Sequence, residues 1–227
     1  FTKNKKKDEK LIFTNNTIGN PYGLIYKKKL VLYDTPRHDY YAEKIINTLQ
    51  KIKNPVIIEI GGGYGGLLVQ LLKRKFKFKY VNIDLPETLI FSYYYISKYF
   101  KRKINITKFL TNSILKKNQI NFIPYSDKFD IDKPVNVNLV FNANSFSEMP
   151  KKIINKYFNL INKKLIPNFI FHQNSNVNLF PNSKRHLEIQ SSDFPIDFKK
   201  YTKLFSNVGM FQGGSGRYRE YLFKRKY

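Results

Sequence analysis

The chain of 227 residues contains no cysteine and no tryptophan, and it has only two alanines. The absence of cysteine excludes disulfide bonds and thiolate metal ligands, and it is typical of a cytoplasmic protein. Long apolar runs are also missing, because no stretch approaches the ~18 consecutive apolar residues of a transmembrane helix. No signal peptide is visible. We therefore expect a cytoplasmic protein without a membrane span.

Acidic residues are scarce, with 16 Asp and Glu against 41 Lys and Arg, so the formal net charge is +25. Only seven of the basic residues are arginines, and Lys, Asn, Ile, Phe and Tyr are abundant. This skew indicates an AT-rich coding bias, which explains the lysines but not the shortage of acids. A basic surface attracts polyanions such as nucleic acid, an anionic glycan or a membrane surface. The lysines are scattered, however, which favours an ordinary solvated surface.

The most informative stretch is a glycine-rich turn between an apolar strand and an amphipathic helix. Val56–Ile60 is a short β-branched run, typical of a strand buried on both faces. Gly61, Gly63 and Gly66 fit the dinucleotide pattern G-x-G-x-x-G, and Gly65 in place of Gly66 gives the tighter G-x-G-x-G. The leucines that follow lie on one helical face. Since a helix N-terminus offers free N–H groups to an anion, the turn predicts a nucleotide-type ligand.

Two carboxylates indicate which nucleotide this is. Glu59 lies two residues before Gly61, where a carboxylate suits a ligand that carries a cation, such as the ammonium of a methionine moiety. Asp84 ends the next strand-like run, Tyr80–Ile83, about 20 residues after the turn, which is the spacing of an acid that meets ribose hydroxyls. The two acids favour S-adenosylmethionine over NAD. The alternative is a plain strand–helix crossover with an incidental glutamate.

Strands alternate with helical patterns along the rest of the chain, which predicts an α/β fold with a doubly wound, mostly parallel sheet. The segments Val208–Phe211 and Arg219–Lys224 predict a C-terminal antiparallel hairpin. Ligands of such sheets bind at the carboxyl ends of the strands. Polar residues stand at or just past five predicted strand ends, and these are Glu59, Asp84, Asn112, Asn142 and His172. Asn112 or Ser113 would meet an adenine amine there.

Three segments resemble the sugar O-methyltransferase family within the class I S-adenosylmethionine-dependent methyltransferases. They are Tyr33–Ala42, then Val81–Thr88 with the pair Tyr94 and Tyr95, and finally Asn142–Met149. The resemblance implies a Rossmann-like, seven-stranded methyltransferase domain over residues 33–227, preceded by an N-terminal arm or cover over residues 1–32.

The resemblance also implies a function, namely transfer of a methyl group from S-adenosylmethionine to a sugar or glycan hydroxyl. The acceptor would be a sugar, a nucleotide-sugar or a polysaccharide, the product S-adenosylhomocysteine, and no metal is expected. Arg37 would pair with the methionine carboxylate or with an acidic sugar, or else form a surface ion pair. In chain order, the expected cofactor-binding residues are Arg37, Glu59, Gly61, Gly63, Gly65, Asp84, Leu85, Asn112, Ser113 and Asn142.

The candidate catalytic residues are possible general bases for the acceptor hydroxyl. His38 begins the helix before the glycine turn, where the helix N-terminus favours a neutral imidazole; alternatively, it bonds the backbone there. Glu148 follows the fourth predicted strand, Val135–Phe141, and its alternative role is a first-turn carboxylate that favours a helix dipole. His172 ends the fifth predicted strand, Asn168–His172, and would face the acceptor. His186 is assigned to the surface.

Two other functions stay open. A methyltransferase that acts on RNA or another nucleic acid would need a contiguous basic groove beside Glu59 and Asp84, with aromatic positions for stacking. A methyltransferase-like binding module would keep the fold without turnover. The intact glycine turn with both carboxylates speaks against the second alternative.

Overall fold

A computed structural model describes residue 18 and residues 22–26, 28–126, 129–131, 133–177, 189–209 and 217–226. The fold is α/β, as predicted, with a mainly parallel central sheet between two layers of helices. Most of the predicted N-terminal arm, and His186, fall outside the described residues. No helix in the described ranges is long and apolar enough to cross a lipid bilayer.

The central sheet has eight strands in the described part of the chain, in the order β5-β6-β4-β3-β7-β8-β10-β9. The first six of these are parallel, and β10 runs antiparallel to β8 and β9. Seven strands have five or more residues, and the eighth, β5, is a two-residue addition at the edge. A hairpin, β1–β2, precedes the sheet. The strands are β1 (Gly23–Tyr26), β2 (Lys29–Leu32), β3 (Val56–Ile60), β4 (Lys79–Asp84), β5 (Asn105–Ile106), β6 (Ile120–Pro124), β7 (Leu139–Ala143), β8 (Phe169–Ser175), β9 (Tyr201–Val208) and β10 (Tyr218–Arg225).

Five α-helices lie in the described ranges, with short 3₁₀ segments at Ser145–Glu148 and Ser191–Asp193. The helix before the glycine turn begins at Thr35, with Pro36 in its first turn. Asp34 occupies the N-cap position without a side-chain capping bond, and its carboxylate pairs with Arg37 at 2.9 Å instead. The helices are α1 (Thr35–Leu49), α2 (Gly66–Lys73), α3 (Pro86–Phe100), α4 (Asn112–Lys117) and α5 (Lys151–Leu160), the last continuing as a π-helical turn (Ile161–Leu165).

The sheet separates two apolar layers, and strand alternation decides which side chain enters which layer. Ile57 packs with Tyr41 of α1 in one layer, whereas Ile58 packs with Phe158 of α5 in the other. Glu59 therefore points to the same face as Ile57, toward helices α1 to α3. We call this side of the sheet the α1 face.

The C-terminal hairpin is confirmed, but its first strand lies earlier than the sequence pattern predicted. β9 spans Tyr201–Val208 instead of Val208–Phe211, and residues 210–216, between the two strands, fall outside the described residues. Only Tyr201 is buried in β9, and Lys203 and Leu204 are exposed. An edge strand of this kind lacks a strong apolar alternation, so its pattern is hard to recognise.

Candidate active site

The glycine turn is joined to β4 by three successive backbone N–H groups. The N–H of Gly61 donates to the Ile83 carbonyl at 2.8 Å, and that of Gly62 to the Asn82 side chain at 3.2 Å. The N–H of Gly63 then donates to Oδ2 of Asp84 at 2.8 Å. These bonds hold the two sequence-predicted elements of the cofactor site, the glycine turn and Asp84, against each other.

Gly61 and Gly63 are glycines for different reasons, although both have positive φ, +72° and +56°. A Cβ on Gly61 would lie 2.1 Å from Oγ of Ser145, so packing against the turn after β7 requires glycine. A Cβ on Gly63 would meet nothing within 4 Å. Gly63 therefore faces open space, where a ligand can approach the backbone.

This difference predicts opposite defects for two alanine variants. Both variants carry the backbone strain of positive φ, but only Gly61→Ala also collides with Ser145. We expect Gly61→Ala to lose about 3 kcal/mol of unfolding free energy and Gly63→Ala about 1 kcal/mol. Gly63→Ala should instead impair nucleotide binding. Urea titrations check the stabilities, and equal losses in both variants would contradict the packing assignment.

Glu59 is a buried carboxylate, with 4% of its surface exposed. The Tyr80 hydroxyl donates a hydrogen bond to its Oε2. The pKa of Glu59 is raised to about 8, mainly by burial and also by the charge of Asp84, while Arg37 opposes both effects. A protonated glutamate in this position ionises readily when a cationic group binds beside it.

The Asp84 carboxylate binds the glycine turn and still has acceptor sites available for a ligand. Its Oδ2 accepts from Gly63, and its Oδ1 accepts from the N–H of Leu85 at 2.8 Å. An ionised carboxylate has about four acceptor sites, so roughly two stay available for a vicinal diol. Burial raises the pKa of Asp84, while the two backbone bonds lower it. Leu85 is half exposed beside it.

Arg37 lies on α1 near Glu59, and its charge acts on both Glu59 and His38. One guanidinium NH₂ pairs with Asp34. Its Nε is buried and has no hydrogen-bond partner among the described residues. A buried guanidinium N–H that lacks a partner suits an anionic ligand group, because Arg binds carboxylates through several donors.

Asn142 holds the site together instead of presenting its side chain to a ligand. Its Nδ2 donates to the Ile60 carbonyl at 2.8 Å and also to Oγ of Ser145. Its Oδ1 accepts from Asn174 Nδ2 at 2.8 Å and from the Phe146 N–H at 3.4 Å. All four hydrogen-bonding positions of the amide are thus used. The predicted cofactor contact through this side chain is corrected to a positioning role.

Asn112 and Ser113 stand farther from Asp84 than the sequence pattern predicted. The segment before them forms only the short edge strand β5, and β6 lies between β5 and β4. The Asn112 side chain accepts from the Asn136 N–H at 3.1 Å and donates to the Pro134 carbonyl at 3.3 Å. These two hydrogen bonds hold the loop that precedes β7. Ser113 is exposed on α4.

Two residues that the sequence reasoning missed follow β6, the strand that pairs with β4 beside Asp84. The N–H of Tyr125 donates to the Asp84 backbone carbonyl at 2.7 Å, and Ser126 comes next. The signal for them was the apolar run Ile120–Ile123 before Pro124. The adenine end of a nucleotide that reaches past Asp84 would therefore meet Tyr125 and Ser126.

His38 packs against the glycine turn. A Cβ on Gly66 would lie 2.3 Å from its ring, and the Tyr64 hydroxyl lies 3.4 Å from its Nδ1. Burial and the charge of Arg37 lower the pKa of His38 to about 3. The imidazole is neutral, as the sequence reasoning predicted, but burial and not the helix terminus is the main cause. Such a low pKa makes His38 a weak general base.

His172 lies inside β8 and not at its end, because the strand continues to Ser175. Its ring stacks on Tyr221 with centroids 4.9 Å apart and also contacts Phe194 and Phe223. It points away from the α1 face, and burial lowers its pKa to about 3. The predicted acceptor-site role is therefore corrected to a place in an aromatic core.

His172→Phe should accordingly reduce the sensitivity of the fold to acid. The folded pKa lies below the ordinary 6.5, so the unfolded chain binds the extra proton between about pH 3 and 6.5, and His172 costs stability as the pH falls through this window. From pH 7 to pH 5 this cost is about 2 kcal/mol. Urea unfolding at both pH values checks the prediction, and an equal acid loss in variant and wild type would contradict it.

Glu148 ends the 3₁₀ segment after β7 and is exposed. It remains accessible to a ligand at this end of the sheet. No group of three or more His, Asp or Glu side chains suited to a metal occurs in the described ranges. The sequence has three closely spaced aspartates, Asp127, Asp130 and Asp132, of which Asp127 and Asp132 lie outside those ranges.

An aromatic cavity of about 290 Å³ adjoins the glycine turn at Tyr64. The cavity lies between the β1–β2 hairpin region and α3, and its lining contains a single charged residue, Asp34. The rings and apolar side chains that line it are those of Ile18, Tyr22, Leu32, Tyr33, Tyr64, Phe91, Tyr94 and Tyr95. The site is thus apolar on this side and polar along the strand ends.

No family model and no curated protein sequence matches the chain. Solved structures do match it. The methyltransferase domain of bacterial CtHen1-C shares 14% identity and a TM-score of 0.57, over 82% of this chain and 97% of that one. Magnesium protoporphyrin IX methyltransferase (ChlM) from Synechocystis PCC 6803, solved with bound S-adenosylmethionine, shares 11% identity and a TM-score of 0.56, over 85% and 81%.

The small RNA methyltransferase HEN1 shares 13% identity and a TM-score of 0.60 over 91% of this chain, which spans only 26% of the length of HEN1. At these identities the similarity concerns the fold. The chain has the Rossmann-like fold of S-adenosylmethionine-dependent methyltransferases, with a C-terminal antiparallel hairpin.

Proposed function

We propose that the chain is an S-adenosylmethionine-dependent O-methyltransferase that acts on a sugar or glycan hydroxyl. The observation that carries the proposal is the glycine turn, in which Gly63 faces open space while its N–H holds Asp84, with Glu59 buried beside it. This arrangement offers one acid to an ammonium group and another to a ribose diol. S-adenosylmethionine supplies a methyl group already activated by its sulfonium.

The residues present fit this cofactor. Glu59 would hold the ammonium and Arg37 the carboxylate of the methionine part, while Asp84 would hold the ribose hydroxyls. Tyr125 and Ser126 would flank the adenine. Gly61 and Gly65 shape the turn, with Gly65 at the N-cap of α2 in the left-handed region, φ +87°. Fixing the donor in this way supports an in-line displacement, since orientation alone can supply several kcal/mol.

Glu148 is our candidate for the group that removes the acceptor proton. It is exposed at the end of the segment that follows β7. His38 is the weaker candidate because its pKa is about 3. A correctly placed base contributes about 10²–10⁴-fold to the rate, so Glu148→Gln should lower turnover by a factor in that range and leave cofactor affinity intact.

A nucleic-acid acceptor is the alternative, favoured by the net charge of +25. A basic groove in the described part of the chain has a volume of about 490 Å³, and no acidic residue lines it. Its basic lining residues are Lys75, Lys77, Lys79, Arg102, Lys116 and Lys117. Because Lys79 begins β4 and Asp84 ends it, the groove lies at the opposite end of the strands from the candidate site. A polyanion bound there would not reach the glycine turn directly.

Transfer of radiolabelled methyl groups distinguishes the two acceptors. The protein is incubated with labelled S-adenosylmethionine and either a panel of neutral oligosaccharides and nucleotide-sugars or single-stranded and duplex RNA. We expect label in the sugar fraction and none in RNA, with the signal lowered in Glu148→Gln. Label in RNA alone would overturn the acceptor assignment.

A further inference from the structure

On the α1 face, the polar residues at the strand ends extend beyond the cofactor site to the C-terminal hairpin. Phe141 of β7 pairs with Glu59 and with Phe171 of β8, so these side chains share that face. Two residues further along β8, Gln173 points the same way, and its partner across the sheet is Glu220 of β10. Polar side chains on the two strands beyond β7 therefore continue the line that Glu59 begins.

Glu220 is an unusual residue for the middle of a strand because it is fully buried, with 0% of its surface exposed. The hydroxyl of Tyr40, on α1, donates to its Oε2 at 2.9 Å. The Glu220 charge also raises the pKa of both Tyr40 and Tyr41, although burial is the larger cause in each. A buried carboxylate carries a large desolvation cost, so its presence needs a reason beyond packing.

Two neighbouring polar atoms lack partners in the described part of the chain. They are the hydroxyl of Tyr41 and Oε1 of Gln173, and both are buried. The Tyr41 ring packs on Phe141 and Phe171, with centroids 5.2 and 5.8 Å apart, which fixes it above β7 and β8. Buried polar groups are nearly always hydrogen-bonded, so groups left without a partner point to a ligand.

The spacing of the strands suits a methyl donor and a methyl acceptor that bind side by side. Neighbouring strands lie about 4.8 Å apart, so β8 is roughly 10 Å and β10 roughly 14 Å from β3, where the methionine part would bind. Ala143, one of only two alanines in the chain, ends β7 between them. Its methyl group is the smallest side chain that a residue other than glycine carries.

We propose that Tyr41, Gln173 and Glu220 form the acceptor subsite and that they bind a neutral, polyhydroxylated ring such as a pyranose. This inference rests on the proposed methyltransferase function. The Glu220 carboxylate and the Gln173 carbonyl accept hydrogen bonds from sugar hydroxyls, and the Tyr41 hydroxyl donates one. A phosphate would be repelled there by the Glu220 carboxylate.

Neutral methyl pyranosides are the probe for this subsite. Their binding to the protein saturated with S-adenosylhomocysteine is followed by saturation-transfer NMR, with a single-stranded RNA oligonucleotide as the polyanionic comparison. We expect at least one pyranoside to bind the wild type, and Tyr41→Phe and Glu220→Gln to weaken it roughly 10- to 100-fold. Tyr41→Phe keeps the ring packing, so the test does not depend on whether Glu220→Gln folds.

Glu43→Gln is the matched control, because Glu43 is an exposed carboxylate on the same helix. It should bind the pyranoside as the wild type does. Calorimetry with S-adenosylhomocysteine on each sample separates the two proposals, since failure to bind it would overturn the methyltransferase function itself. If it binds while no pyranoside does, or if the two variants bind the pyranoside like the wild type, only the acceptor subsite is overturned.

Discussion

Replacing Asp84 by Asn should weaken S-adenosylmethionine binding by roughly 10- to 100-fold, because hydrogen bonds to a charged group contribute about 1.5–3 kcal/mol. Both carboxylate oxygens already accept from backbone N–H groups, of Gly63 and Leu85. An amide at this position loses the charge and also turns an NH₂ group toward one of those donors. The change therefore affects the ribose contact and the turn together.

Calorimetry with the wild type and Asp84→Asn measures this loss. Glu87→Gln is the matched control, because Glu87 is an exposed acid in the first turn of α3. We expect its affinity to match that of the wild type. Thermal unfolding of each variant shows whether the fold is kept. An Asp84→Asn variant that binds within threefold of the wild type would remove Asp84 from the ribose site.

Glu59 should make cofactor binding depend on pH. Its pKa is about 8 in the free protein, so ammonium binding requires the carboxylate to lose a proton. Affinity should therefore rise with pH, by up to roughly tenfold per unit between pH 6 and 7.5. The upper limit of this window comes from the α-amino group of the ligand, which itself loses its proton near pH 8.

The measurement is calorimetry at several pH values in buffers that differ in ionisation enthalpy, which reports the proton released on binding. Glu59→Gln should bind more weakly at pH 7.5 and show no rise in affinity across the window. Tyr80→Phe is a useful comparison, since it removes the hydroxyl that bonds Glu59 but keeps the acid. A wild type with pH-independent affinity and no proton release would contradict the role of Glu59.

The proximity of the glycine turn, Glu59 and Asp84 in the candidate site could be predicted from the sequence because it is local. The glycine turn, Glu59 and Asp84 belong to one strand–turn–helix–strand unit, and their spacing is read along a continuous stretch. The fold class followed in the same way from the alternation of strands and helices. These features need no knowledge of which distant segments pair.

The proposed acceptor subsite could not be predicted from the sequence because it depends on distant pairings. Gln173 and Glu220 meet only because β10 pairs with β8 across 47 positions of sequence. The polar residues after His172 are typical of a strand end, yet β8 continues through them. One of them, Asn174, donates a hydrogen bond from its side chain to Asn142 at 2.8 Å. The alternation of the extended strand then turns the His172 side chain to the opposite face.

The most direct test of the account is calorimetry of the unmodified protein with S-adenosylmethionine and with NAD in parallel. We expect S-adenosylmethionine to bind with a stoichiometry of about one, because the described residues contain a single such glycine turn. We expect NAD not to bind, because it lacks the ammonium group that would pair with Glu59 beside the turn. Binding of NAD without binding of S-adenosylmethionine would contradict the account.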